Sequence, residues 1–511
     1  MNNRNADDSP LSSVRDDSST LSTLNIHWIR PVVSEVRGAF EWLHDRAELR
    51  NTALWLALVL AIGASLRAYF LSQPMRYDEA FTFLNFANGD ISKLFFYPVP
   101  NNHVLHTILV RISVELFGGD PVAIRLPALV AGLCVIPLTF CLARLLTGDR
   151  RSGFLASGLA AIFPYLVLYD TMARGYSLLV LLSLVLAIIG HHFVEHPSKG
   201  LCCLMSLVIA LGLFDIPSFL LSAAGIFLWI LAMLIRKGRG PVWILTEVII
   251  PCAVLTVVLT GLFYTPVVIE NEGIETLTGN RFVKGLPFSN FLQVLPEHIS
   301  HTVSDFTRDI PLAVICGAVF LCVAGLIALV RNRNWCGLTL LPVLLIGGGI
   351  TLFAKHAIPD PRSWIYLLPF AFCFLDAGFI YVVRYGNARL IRSILLLLTV
   401  GVAVHMMNRD LIASYDDTGY FREAPVVVDV LAREMSPGDD IKGKSPADAA
   451  VIFYMWHRKV PRYKDPNDRA AVRKRFFIVQ KSKYSIKDMT AQPVQKLLET
   501  GDAELYVSDL K

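Results

Sequence analysis

Met75-Arg-Tyr-Asp-Glu-Ala-Phe-Thr82 follows directly on an apolar run, residues 52–72. The run has the length of a membrane span, which needs about 20 mostly apolar residues. A paired Asp78-Glu79 immediately beyond a span is costly to place unless it is used. A carboxylate there can take a proton from a hydroxyl or hold a divalent metal. The plainer reading is an interfacial acid paired with Arg76 or Arg67. The pair is read here as the acid site of a membrane enzyme.

The rest of the chain agrees with a membrane setting. Of 511 residues, 54% are hydrophobic and only 17% charged, where a soluble protein carries about 25% charged. The net charge of +5 implies no nucleic-acid partner. The nine cysteines sit in or beside apolar segments, with no zinc spacing and no disulfide framework. Apolar runs at 52–72, 123–143, 152–170, 174–194, 200–215, 217–236, 242–266, 311–330, 336–354, 363–383 and 389–408 predict eleven spans. The basic clusters at 144–151, 236–239, 331–333 and 384–392 all fall inside the cell only if 103–117 lies on the membrane instead of crossing it. The expectation is an all-α polytopic membrane protein with its N-terminus inside and its C-terminus outside.

Three regions follow from this. Residues 1–50 are a polar, disordered or interfacial lead-in, with a candidate interfacial helix at 28–48. Residues 51–408 form the transmembrane catalytic domain, with outer loops 73–122 and 267–310. Residues 409–511 are charged and cysteine-free and predict a small extracytoplasmic α/β domain. In it, 423–435 and 447–459 have helical spacing, 476–479 and 504–507 read as strands, and 491–499 reads as a helical stretch.

The unusual polar residues collect on the outer face. His103 and His106 share one helix face and suit a metal, a phosphate or a sugar; simple facing to water is the plainer reading. Arg125, Arg174 and Arg362 stand at the outer ends of three spans and can surround one anion, because Arg grips phosphate bidentately. Taken singly, each reads as an arginine snorkelling to headgroups. Asp170 is the best second acid. Asp215, His298, His301, Asp305 and Arg308 also lie outside, whereas Glu247 and Asp376 lie inside spans without evident partners.

The order of these parts resembles glycosyltransferase family 39, within the GT-C superfamily, which includes the protein O-mannosyltransferases and the lipid A aminoarabinose transferases. The matching residues are Asp78-Glu79-Ala80-Phe81-Thr82, Asn101-Asn102-His103, Phe117-Gly118, Arg125-Leu126-Pro127, Gly148-Asp149-Arg150-Arg151 and Arg174-Gly175-Tyr176, with Arg362 and Tyr366 before Pro369. The resemblance implies a GT-C fold and transfer of a sugar from a polyprenyl-phosphate carrier to a hydroxyl acceptor on the outer face, with inversion. It makes Asp78 the reacting acid, with Glu79 beside it. It gives His103, His106, Arg125, Asp170, Arg174, Tyr176, Arg362 and Tyr366 to substrate binding. Two elements depart from the family. His103-Val-Leu-His-Thr-Ile108 stands where the mannosyltransferases have His-Pro-Pro-Leu-Gly-Lys, and Met172 stands where bacterial relatives have Glu. A divalent metal is left open, and a multi-pass bacterial inner-membrane protein of compact, prokaryotic type is expected. The competing readings are a lipid-pyrophosphate-dependent glycan ligase, a transporter or flippase of lipid-linked sugars, and a non-catalytic partner with the same fold.

Overall fold

The computed structural model describes residues 46–98, 101–275, 285–415, 418–460 and 472–509. Most of the lead-in at 1–50, including most of the candidate helix at 28–48, lies outside them. Every apolar run folds as helix, as it must where no water can satisfy the backbone. In chain order the membrane helices are α1 (Arg46–Leu71), α4 (Pro121–Thr147), α5 (Phe154–Ile162), α6 (Pro164–Asp170), α7 (Tyr176–Glu195), α8 (Lys199–Asp215), α9 (Phe219–Arg236), α10 (Pro241–Glu270), α12 (Leu312–Arg331), α13 (Trp335–Lys355), α14 (Leu367–Val383) and α15 (Ala388–Asn408). Between them lie α2 (Tyr77–Thr82), α3 (Val104–Phe117) and the more polar α11 (Phe288–Thr307).

Among the described residues, eight helices are long and apolar enough to cross a membrane, against the eleven spans expected. The other three runs give shorter helices. α8 and α14 have 17 residues each, or about 26 Å at 1.5 Å per residue, the low end of the spanning range. The run 152–170 is not one helix. Pro164 has no N–H for the carbonyl of Ala160 and splits it into α5 and α6. Arg67 of α1 fills the break, donating to the carbonyls of Ala160 (3.2 Å) and Ala161 (2.7 Å). α3 has 14 residues, about 21 Å, too short for a hydrocarbon core of about 30 Å.

Asp376, inside α14, has the partners that the sequence did not name. Its carboxylate accepts from the Ser152 hydroxyl (2.6 Å) and from the backbone N–H groups of Gly153, Leu155 and Ala156 (2.8–3.2 Å). It thereby satisfies the open N-terminus of α5. Glu247 faces outward from its helix.

The tail has α16 (Ala424–Glu434) and α17 (Ala447–His457) packed on a four-stranded sheet of order β1-β2-β4-β3. β1 (Asp440–Gly443) runs parallel to β2 (Lys474–Gln480); β4 (Ala503–Asp509) pairs antiparallel with β2 and with β3 (Gln495–Thr500). Residues 491–499 are therefore not helical: Pro493 opens the segment and β4 supplies its backbone partners. β1, too short to show a period, was not expected. This unit packs on the Asp78 end of the helices. Tyr454 accepts from the Met75 N–H at 3.0 Å, and the Phe453 ring lies 5.7 Å from that of Phe83.

Candidate active site

Asp78 and Glu79 are neighbours on α2, so their side chains point about 100° apart. Glu79 turns inward and is 1% exposed. It accepts from Arg125 through both oxygens, from the Arg76 N–H at 2.8 Å and from the Ala173 N–H at 3.0 Å. Arg125 gives its remaining N–H groups to the carbonyls of Leu71 (2.6 Å), Gln73 (2.7 Å) and Pro74 (3.1 Å). All five of its donors thus have protein partners, and none is left for an anion. The pair ties α2, α4, the 71–74 turn and the 171–175 turn together; Glu79's ion partner is thus Arg125, with Arg76 giving only its backbone N–H and Arg67 no contact. Arg67 pairs instead with Asp170, at 2.9 Å from Nε and 2.6 Å from Nη2. Asp170 is 2% exposed, and a Cβ at Gly132 would collide with its carboxylate. This ion pair joins α1 to α6.

Asp78 turns the other way. Its side chain is 17% exposed and lies 2.9 Å from Nη1 of Arg362. Arg362 also reaches Asp360 at 3.2 Å, and its guanidinium stands 5.4 Å from the centre of the Tyr176 ring. Arg174 stands 6.0 Å from the same ring centre, and the His103 ring meets it edge-on at 5.1 Å. Tyr176 therefore gathers Asp78's partner, the second arginine and the first histidine into one polar cluster. Tyr366 lies outside it, stacked on Trp364 at 6.2 Å.

The cluster is rich in donors. The Gly175 N–H donates to Nδ1 of His103 at 2.9 Å. Burial, with Arg174 adding to it, holds the His103 pKa well below 6.5, so the ring is neutral and its proton sits on Nε2. That N–H faces Nη2 of Arg174 at 3.3 Å, donor against donor. Arg174 commits Nη1 to the Thr82 hydroxyl and the Asn101 carbonyl, both at 2.8 Å. The Nε groups of both Arg174 and Arg362 are buried with no acceptor among the described residues. Buried guanidinium N–H groups without acceptors are rare and favour an anionic guest.

Two further groups enter here. Asp215, at the end of α8, accepts from the His106 N–H at 3.2 Å. Its Oδ2 and the Nε2 of His106 have no partner among the described residues. A Cβ on Gly175 would lie 2.7 Å from either Asp215 oxygen and 2.8 Å from Nδ1 of His103, so only glycine lets these groups converge. Burial, with Arg174 adding to it, takes the His106 pKa down to about 3. The sequence marked Asp215 only as an outer polar residue; its place at the exit of a span beside a histidine helix was the available signal. Of the other outer residues, His298 accepts from the Trp364 indole N–H at 3.0 Å. Among the described residues, no group of three His, Cys, Asp or Glu side chains converges as a metal site.

Residues 103–257 match the family model described as dolichyl-phosphate-mannose-protein mannosyltransferase. No curated protein sequence matches the chain. Among solved structures, the chain is similar to ArnT from Cupriavidus metallidurans in the apo state, with a TM-score of 0.58 at 12% identity, covering 90% of this chain and 98% of that one. The form of ArnT bound to undecaprenyl phosphate gives 0.55 at 12% identity, covering 89% and 97%. At this identity the likeness is one of architecture. The protein is a multi-pass membrane protein with the GT-C fold of membrane glycosyltransferases.

Proposed function

We propose that the chain transfers a sugar from a polyprenyl-phosphate carrier to a hydroxyl acceptor, with inversion at the anomeric carbon, on the extracytoplasmic face of a bacterial inner membrane. The observation that carries this reading is the pairing of one accessible carboxylate, Asp78, with a donor-rich anion cradle formed by Arg174, Arg362 and the His103 N–H. A proton acceptor beside an anion site is what displacement of a phosphate by a hydroxyl requires. The match to undecaprenyl-phosphate-bound ArnT and the mannosyltransferase family model support the same donor class. The basic loops, which collect at the opposite end of the helices, support this face.

In this mechanism the acceptor O–H gives its proton to Asp78 as its oxygen bonds to the sugar C1. The bond from C1 to the phosphate oxygen breaks on the opposite side, and polyprenyl phosphate leaves with the electron pair. Arg174, Arg362 and His103 stabilise the charge that grows on the leaving oxygens. Arg362, which pairs with Asp78, exchanges that contact for the phosphate as the donor enters. Asp215 and His106, beyond His103, are placed to read polar groups of the donor. Glu79, Arg125 and Asp170 are positioning residues. Asp78→Asn should abolish transfer from a polyprenyl-phosphate sugar in proteoliposomes while expression and thermal stability stay at wild-type levels. Persistent transfer in that variant rules out Asp78 as the base.

A further inference from the structure

The end of the helical frame opposite Asp78 holds a second cavity. Arg144 follows Arg125 by nineteen residues on α4, about 28 Å along the helix, close to one hydrocarbon thickness. Around Arg144, the ends of α1, α4, α5, α14 and α15 enclose about 200 Å³. Phe154, Ile380 and Leu395 make part of its lining apolar. The lining also carries four guanidinium groups, from Arg144, Arg150, Arg151 and Arg392, and, among the described residues, one carboxylate, Glu48.

That carboxylate is already shared between Arg144 (3.4 Å) and Arg150 (3.1 Å). Arg151 donates to the Arg384 carbonyl at 2.6 Å. Arg392 lies 5.4 Å from the centre of the Phe154 ring, with Arg144 at 5.7 Å from the same centre. Arg392 meets no protein hydrogen-bond acceptor among the described residues. Arginines that merely snorkel extend away from the protein; Arg144 and Arg392 are partly buried and lie over a ring inside the cavity.

We propose that this cavity binds an anionic phospholipid. The phosphate lies among the four guanidinium groups, and an acyl chain runs along the apolar lining. Charge complementarity identifies the headgroup: Arg151 and Arg392 line the cavity and their guanidinium groups meet no carboxylate among the described residues, and a phosphate offsets them. The apolar lining identifies the source as a lipid, because a free phosphate has nothing to bury there. The height of the site, one bilayer thickness from Asp78, puts it at headgroup level.

The test is thermal unfolding of the full-length protein in detergent, titrated with phosphatidylglycerol, phosphatidylcholine or inorganic phosphate. Phosphatidylglycerol should raise the Tm and the other two should not. The Arg151→Gln/Arg392→Gln double variant should need about tenfold more phosphatidylglycerol for the same rise, the equivalent of one charge-assisted contact. Arg362→Gln, which alters the proposed donor site, should respond like wild type. The proposal fails if phosphatidylcholine or phosphate matches phosphatidylglycerol, if the double variant responds like wild type, or if Arg362→Gln abolishes the response. Should the double variant not fold, native mass spectrometry of the wild type from a mixed-lipid extract decides. Selective retention of the anionic lipid supports the site, and equal retention of both lipids overturns it.

Discussion

Glu79→Gln should be a folding lesion rather than a chemical one. Each Glu79 oxygen accepts two N–H groups: Oε1 from Arg76 and Arg125, Oε2 from Arg125 and Ala173. Glutamine keeps the shape but replaces one oxygen with an NH2 group, so two donors lose their acceptor and meet another donor. Arg125, 0% exposed, keeps its charge and loses its counter-ion. Breaking a buried pair from one side costs about 3–5 kcal/mol, a large part of a typical stability of about 5–15 kcal/mol. The assay is thermal unfolding in detergent beside a transfer assay, with Asp78→Asn in parallel. Glu79→Gln should unfold many degrees below wild type, and Asp78→Asn should unfold at the wild-type temperature. If Glu79→Gln instead keeps the wild-type Tm and loses transfer as Asp78→Asn does, Glu79 is the reacting acid and the division of labour argued here is wrong.

Two more outcomes follow from buried groups. Asp376→Ala should leave three backbone N–H groups without their acceptor, the Ser152 hydroxyl still having the Ala143 carbonyl, costing at least about 2 kcal/mol in unfolding assays; a Tm within a degree of wild type would show that another group caps α5. Because the folded His106 pKa lies near 3, the unfolded chain binds the proton first as pH falls below about 6.5, so the His106 contribution to stability is present above that value and is lost on acidification, by about 1.4 kcal/mol at pH 5.5. His106→Gln should therefore lose less Tm than wild type between pH 7.5 and 5.5, and equal losses would refute the assignment.

The helices were legible because apolar runs bounded by charge are a strong signal, and the 14-residue length of α3 agrees with the loop-charge argument for it. The sequence also contained the break at Pro164, but an apolar run of spanning length masked it. Strand β3 was missed because a short segment such as Gln495–Thr500 has no decisive period; its partner on β4 fixes it. Polar pairing was the least legible layer. The Arg67–Asp170 and Arg125–Glu79 pairs join residues 103 and 46 positions apart, and nothing local says that Arg125 is saturated whereas Arg174 is not. Adjacent residues on a helix were bound to face different ways, so one of Asp78 and Glu79 had to be structural. Which one depended on where Arg125 ended up.

The same geometry says how Asp78 is held. α2 has six residues and runs on into a five-residue π-helical turn, Phe83–Ala87; so short a helix is not stable alone, since its nucleation cost exceeds what its few hydrogen bonds return. α2 is supported from the far end of the chain. The Tyr77 N–H donates to the Gly419 carbonyl at 2.8 Å and the Asp78 N–H to that of Thr418 at 3.3 Å. Arg76 donates to the carbonyls of Tyr415 and, at 2.8 Å, Ile412. Gly419 has φ +71°, and a Cβ there would lie 2.8 Å from Cβ of Tyr77, so a side chain at that point would push α2 away. Glu79 and Arg125 fix the inner face of α2, and the segment after the last membrane helix fixes its N-terminus. The Asp78 carboxylate is what remains free to face Arg362, so its position depends on the tail as much as on the membrane helices.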